Sequence, residues 1–409
     1  MNTAVVDVDV PPQRRDPDAP PLFTPHFLAM CGFNFTIFLS AFQLLPTAPY
    51  RILELGGSTA AAGLFLGFLT YASALSAPFT GALADRVGRT RMLVTCSSAL
   101  TVFCVAYAFS GRYETLLVLV PIHGLFWSGL LSAGAAHMAD QLPESRRAEG
   151  LGYWGSSTIL ALAFAPTIGL WLHKHYGWRF LCLETAALNI GMGVTAWYLT
   201  KDVARPGHGR RGAGGIEWRV IAVSITLFLY AFGYGGITSF SALYADHLGI
   251  TPRALYFFVF SVTTLLVRTV SGRFAENVGY RKVFVPCLGL IVLGYVLLAL
   301  ATGRNSFIAS AVVFGFGFGA AWPVYMAHLL QYFDATRRGA VFGGVLACFD
   351  TGIGTGSIAS GWLITHWGYG GAFFTAAALA TLALPYFLIV EPKMLRGDRG
   401  PLSHAAGEG

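Results

Sequence analysis

A few ionisable side chains stand among apolar neighbours that make a charge costly, and they define the chemistry open to this chain. Asp350 lies within AVFGGVLACFDTGIGTGSIASG, twelve residues beyond Arg338, or about 18 Å along a helix at 1.5 Å per residue. A carboxylate that deep in an apolar segment must be paired or protonated, so proton carriage is the chemistry it offers. Arg268 is the one basic residue placed inside such a segment. It is the natural partner of Asp350, and a fixed ion pair between the two is the alternative reading. His123 adds an imidazole that titrates near neutral pH, either as a second proton site or as a hydrogen-bonded histidine of the interior.

A second group of charges lies between apolar runs. Gly81–Leu93 reads GALADRVGRTRML and carries Asp85, Arg86, Arg89 and Arg91. The stretch returns as GRFAENVGYRKVF at Gly272–Phe284, a constant offset of 191. Gly81, Asp85, Gly88 and Arg91 answer to Gly272, Glu276, Gly279 and Lys282. Outside the stretch, Arg146, Trp171, His137 and Gly177 answer to Arg337, Trp362, His328 and Gly368. So many pairs in one register imply a duplication. Two parallel halves with a site between them are the plan of a rocker-type transporter.

The elements that position these residues are read from composition. Of 409 residues 55% are hydrophobic and only 11% charged, with a mean hydropathy of +0.60; a soluble domain carries roughly 25% charged residues. The apolar residues come in runs of about 20, enough to cross a bilayer as helix. Such runs fall at 25–48, 60–79, 92–110, 115–138, 148–172 and 178–200. Six more follow at 218–242, 252–271, 283–302, 305–330, 337–363 and 370–391. The expected protein is therefore an all-α membrane protein of twelve transmembrane helices in two pseudo-symmetric six-helix bundles. The bundles are expected at 25–200 and 218–391, with a disordered tail at 1–24, a linker at 201–217 and a second tail at 392–409.

The net charge of +7 reads as the positive-inside rule, not as a nucleic-acid surface. With the N-terminus inside, the cytoplasmic segments hold 20 of the Lys and Arg residues and the outer loops 6. Both termini are accordingly expected in the cytoplasm, and residues 1–24 contain no apolar core of a signal peptide. The six cysteines lie in or beside apolar runs without metal-ligand spacing, so neither a metal nor disulfides are expected. GFGFGAAW and GIGTGS fall inside apolar segments and read as helix-packing glycines, and GRRGAGG lacks the Gly-Lys-Ser/Thr ending of a phosphate loop. No cofactor is expected, and the energy source is an ion or solute gradient.

GALADRVGRTRML, with its echo and the twelve-segment pattern, resembles the loop 2–3 signature of the major facilitator superfamily over about residues 25–391. The resemblance implies two bundles around a central cavity that opens alternately to either side. RRAEGLGYWG and the Asp350 segment look like bacterial drug or metabolite exporters, and Ala165–Gly169 partly matches the exporter signature of segment five. Segment four has no arginine ahead of Gly124, and segment one no acidic residue, so the usual proton-coupling positions of that group are not matched. With a solvated positive-inside loop as the alternative reading, the family also implies a gating role for the charged loop. In it Asp85 would face the N-terminus of the helix carrying Asp350, and Arg89 would pair with Asp140. With Glu276 and Tyr280 in place of Asp85 and Arg89, the second latch should be the weaker.

Substrate contacts are expected from Asn34, Gln43, Trp127, Tyr230, Tyr234, Trp322 and Tyr325 on segments one, four, seven and ten. Aromatic rings with polar tips suit an amphipathic solute. The expected protein is a monomeric transporter of the bacterial inner membrane that exports small organic molecules in exchange for protons. Uptake by the same fold, or a membrane sensor without transport, are the alternatives.

Overall fold

The computed structural model describes residues 21–143, 146–199, 217–333 and 337–395. The first tail up to residue 20, the linker at 201–216 and the tail from 396 lie outside the described residues. Eleven helices carry the described chain: α1 (Pro25–Leu44), α2 (Ala48–Glu54), α3 (Thr59–Val87), α4 (Arg89–Phe109), α5 (Tyr113–Gln141), α6 (Arg147–Leu199), α7 (Trp218–His247), α8 (Leu255–Val278), α9 (Tyr280–Ala299), α10 (Arg304–Leu330) and α11 (Arg338–Leu395). Local chemistry sets their ends. Thr24 Oγ1 accepts from the Phe27 amide at 3.1 Å ahead of Pro25, and Ser58 Oγ accepts from Ala61 in the same way. Both are N-caps that satisfy an amide with no partner in the helix.

Among the described residues, ten helices are long and apolar enough to cross a membrane. Two of these, at 149–198 and 340–395, are of double length. Each is broken by one glycine in the left-handed region, Gly177 (φ 81°) in α6 and Gly368 (φ 71°) in α11. The twelve apolar runs of the sequence are thus accommodated in ten helices, two of them bent. The same device separates α3 from α4 at Gly88 (φ 99°) and α8 from α9 at Gly279 (φ 102°). A side chain at such a φ would strain the backbone. All four glycines are repeat mates at the offset of 191.

One expectation changes here. The charged stretch 81–93 is not an extended turn: α3 runs to Val87, α4 starts at Arg89, and Gly88 alone connects them. Gly81 and Gly272 lie inside α3 and α8 with open space around them, so neither makes a turn or a close contact in this conformation.

Packing repeats as the sequence does. In the first half α1 packs on α6, α3 on α5, and α4 on both α5 and α6. In the second α7 packs on α11, α8 on α10, and α9 on both α10 and α11. Across the halves α3 meets α11 and α6 meets α8, which is again one pair and its repeat mate. The outer circumference keeps large apolar side chains exposed, among them Val102, Val118, Ile190 and Leu382, the surface expected where lipid is the solvent.

Candidate functional site

The two ends of the molecule differ. One carries the described chain ends together with Gly88 and Gly279 (the termini end); the other carries Ser58, Gly177, Leu248 and Gly368 (the far end). At the far end the halves are locked together. Ser357 Oγ donates to Gly63 O at 2.8 Å, and Tyr71 Oη lies 2.6 Å from Thr355 Oγ1, both between α3 and α11. Small residues make this approach possible: a methyl at Gly361 would stand 2.6 Å from Thr59 O, and one at Gly63 would overlap the Ser357 carbonyl. Farther out, Tyr50 donates to Asp246 Oδ2 at 3.0 Å across the halves. Arg253 binds Asp246 Oδ1 at 2.8 Å and lies over the Tyr50 ring. Tyr50 and Leu170 of one half pack with Ala242 and Ala254 of the other beneath this latch.

Toward the termini end the halves part. Gly81 is eighteen residues beyond Gly63, five turns and so on the same face of α3, about 27 Å farther along. Nothing lies within 4 Å of a methyl built there, nor at Gly343 on α11. The ion pairs at this end stay within one half: Arg89 with Asp140 and, at 3.5 Å, Asp85; Glu391 with His328 at 3.1 Å and Arg281 at 3.6 Å; Arg337 with Glu217 at 2.7 Å. Among the described residues no hydrogen bond joins the halves on this side of Tyr71 and Thr355. The result is a cleft closed at the far end and open at the termini end.

Asp350 stands at the apex of the cleft. It is four residues before Gly354 and seven before Ser357, so it shares the α11 face that meets α3. It is half-buried and makes no hydrogen bond or ion pair with any described residue. The expected pair with Arg268 is absent in this conformation. Arg268, also half-buried, lies within electrostatic reach of Tyr230 and Tyr234 instead, and its Nε is buried without a partner. The reason is placement: Asp350 faces α3, whereas Arg268 faces α7.

Beside Asp350 runs an aromatic belt. Trp322 contacts Phe349 at 4.7 Å between centroids, Phe349 contacts Phe318 at 6.0 Å, and Phe318 contacts Tyr234 at 4.5 Å and Tyr230 at 5.8 Å. Tyr230 is fully buried, and its hydroxyl has no partner among the described residues. In the first half Trp127 packs edge-on against Phe38 at 5.6 Å. The structure thus brings Trp322, Tyr230, Tyr234, Arg268 and Asp350 to one region of the second half.

A model of the Major Facilitator Superfamily matches residues 28–258 and 223–404. The chain belongs to the Major Facilitator Superfamily. It is a secondary transporter and not an enzyme. This superfamily member is 23% identical over 373 residues to the multi-drug resistance efflux pump PmrA of Streptococcus pneumoniae, covering 87% of this chain and 93% of that one. It is 24% identical over 381 residues to the multidrug resistance protein MdtG of Proteus mirabilis, covering 88% and 92%. In fold it resembles a bacterial homolog of the human lysosomal transporter Spinster, solved inward-facing and unoccupied (TM-score 0.78, 14% identity, 94% and 100% covered). The nucleoside transporter NupG is also similar (TM-score 0.72, 14% identity, 90% and 99% covered).

Several expected site residues of this transporter sit elsewhere. Asn34 is fully buried and ties α1 to α6 through Trp154 O, Ser157 Oγ and Thr158 Oγ1, at 2.8 to 3.1 Å. Tyr325 is core, bonded to Ser224 at 3.1 Å and packed on Phe284. His123 is enclosed between Phe103 and Tyr107, 3.1 Å from the Tyr107 hydroxyl, and meets neither Asp350 nor Arg268. Gln43 is buried against α6, 3.5 Å from Glu184. Arg89 is where the sequence places it, paired with Asp140; it also donates to Ala136 O and so braces α4 to α5 inside the first half. Asp85 is exposed and bonded to Arg89 alone among described residues, and the Arg338 side chain at the start of α11 lies outside them. Arg86, Arg91 and Glu276 are exposed.

Sequence reasoning missed the latch of Tyr50, Asp246 and Arg253, and no local signal reveals it, since Tyr50 and Asp246 are 196 residues apart. It also missed Glu184 and Glu391. Glu184 was open to the rule applied to Asp350, a carboxylate inside an apolar run.

Proposed function

We propose that this transporter exports small organic molecules in exchange for protons by alternating access, with the termini end in the cytoplasm. The orientation is supported by the excess of Lys and Arg in the segments at that end, 20 against 6, and it makes the present conformation inward-open. The relatives named as multidrug efflux proteins favour export from a bacterial inner membrane. One observation carries the coupling: among the described residues Asp350 has no partner, one turn from the contact that holds the halves together. A carboxylate there is expensive when ionised. Its protonation changes the cost of bringing α3 against it, so the proton and the rocking of the halves act on one equilibrium.

The half-buried Phe318, Trp322 and Phe349 beside Asp350 offer flat apolar faces backed by the fully buried Tyr230, with Arg268 as a polar group nearby, which suits amphipathic aromatic solutes. Gly81, Asp85, Gly88, Arg89, Arg91 and Asp140, with Gly272, Glu276 and Gly279, form the surface that must close when the cleft opens outward. In proteoliposomes, Asp350→Asn should abolish transport driven by a pH gradient while leaving exchange of solute for solute. Unchanged pH-driven transport would remove the proposed role of Asp350. Accumulation only in energised right-side-out vesicles would replace export by uptake.

A further inference from the structure

Glu184 is an intramembrane carboxylate that neither the cleft nor the ion pairs of the termini end explain. It lies in the second arm of α6, seven residues past the Gly177 break, about 10 Å down the helix. It faces α1, where Gln43 Nε2 donates to its Oε1 over a long 3.5 Å. Gln43 is fully buried, and its backbone is held by the close approach of Gly169, where a methyl would stand 2.6 Å from Gln43 O.

Counting hydrogens around this pair exposes a deficit. Among the described residues Gln43 Oε1 and Glu184 Oε2 are both buried acceptors without a donor. The neighbouring donors are committed: the Thr185 side chain is within hydrogen-bonding reach of Glu184 but its single hydroxyl hydrogen goes to Leu181 O at 2.7 Å, Thr47 donates to Gln43 O and Leu44 O, Ser40 to Asn189 Oδ1 at 2.9 Å, and Asn189 to Cys104 Sγ at 3.4 Å. No described Lys, Arg or His pairs with Glu184. From α4, Cys104 is within electrostatic reach of it, and Tyr107 is turned to His123 of α5. Arg51 of α2 pairs with Glu54. From α8, Tyr256 bonds Ser310 and Arg268 faces α7. Two orphaned acceptors on adjacent side chains, one of them a carboxylate in an apolar layer, are both satisfied by one added hydrogen that also removes the charge.

We propose that Glu184 is a proton-binding site of this transporter, held as the neutral acid with its Oε2–H donated to Gln43 Oε1. The site belongs to the first half alone, because at the offset of 191 Glu184 answers to Thr375 and Gln43 to Tyr234. Asp350 answers to Ile159, so the two carboxylates, Glu184 in the first half and Asp350 in the second, have no repeat mate and lie on different helices and at different depths. The inference extends the proton-coupled reading but is independent of transport direction and of Asp350.

Infrared titration of the full chain in liposomes reads it without a substrate. A protonated-carboxyl band should be present at neutral pH, lost in Glu184→Gln and kept in Asp350→Asn. Gln43→Leu, which leaves Glu184 in place, should move that band to higher frequency as the acceptor disappears. A Glu184→Gln spectrum that superimposes on the parent's would show Glu184 ionised and overturn the proposal. The same two oxygens also suit a sodium ion, so unfolding midpoints in sodium chloride and choline chloride are compared. A sodium-dependent rise that Glu184→Gln removes would overturn the proton assignment, whereas equal midpoints support it. Loss of pH-driven transport in Asp350→Asn with the band intact separates the two sites.

Discussion

Gly63→Ala should shift this transporter away from the conformation seen here, and Gly81→Ala, in the same helix and on the same face, should not. At Gly63 a methyl overlaps the Ser357 carbonyl, with its carbon 3.1 Å away, and the backbone atoms there have no side-chain rotamer to yield. Overpacking of this kind costs about 1–3 kcal/mol. Separating the helices also loses the 2.8 Å bond from Ser357 to Gly63 O, about 1 kcal/mol more. The gain in helix propensity from Gly to Ala is common to both conformations and cancels. A total of about 2–4 kcal/mol moves the ratio of closed to open far ends by roughly 30- to 700-fold. At Gly81 no atom lies within 4 Å, so the closed far end is untouched. If the cleft closes on Gly81 in the alternate state, that state is the one disfavoured. A cysteine reporter at Ala60, which faces Gly361, measures the far end by its maleimide labelling rate in detergent micelles. Faster labelling with Gly63→Ala and no increase with Gly81→Ala is expected. Equal rates in Gly63→Ala and the parent, or the same acceleration in both variants, would refute the argument that glycine contacts close the far end.

Three further outcomes follow from named contacts. Asp246→Asn weakens the half-exposed latch to Tyr50 and Arg253. For partly solvated charges that is worth about 1 kcal/mol, so labelling of the Ala60 reporter should rise about fivefold. Asn34→Leu removes the tie from α1 to α6. It should lower thermal stability by about 1–2 kcal/mol, read as the unfolding midpoint in detergent, with reporter labelling unchanged. Trp322→Ala removes a ring 4.7 Å from Phe349. A stacking loss of about 1–1.5 kcal/mol should raise the KM of a transported aromatic solute about tenfold, while Tyr325→Phe in the core leaves KM unchanged.

Much of the fold was legible in the sequence because the bilayer imposes it. Segments that must satisfy every backbone group internally become helices of fixed length, so apolar runs, loop charges and the 191-residue repeat are enough to count and pair them. Gly88, Gly177, Gly279 and Gly368 are visible for the same reason: a repeated glycine between repeated segments marks a break. What runs of residues do not show is how sharply a helix turns. α6 and α11 bend at one residue where a loop was expected, and Gly81 stays inside α3.

The site was legible in part. Depth along a helix is a local property, so Asp350 could be placed near mid-membrane from spacing alone, and Arg268 and the aromatic residues could be assigned to their segments. Which face of a helix meets which neighbour depends on all the helices at once, and only the tertiary structure decided it. Arg268 turns to Tyr230 and Tyr234 instead of Asp350. Asn34, Tyr325 and His123 turn into their own half, and Tyr50 meets Asp246 across the far end. The sequence by itself determined a duplicated helical transporter and the depth of its rare charges. Tertiary packing decided which charges remain unpaired, because a buried polar group is satisfied or orphaned by what its neighbours present to it.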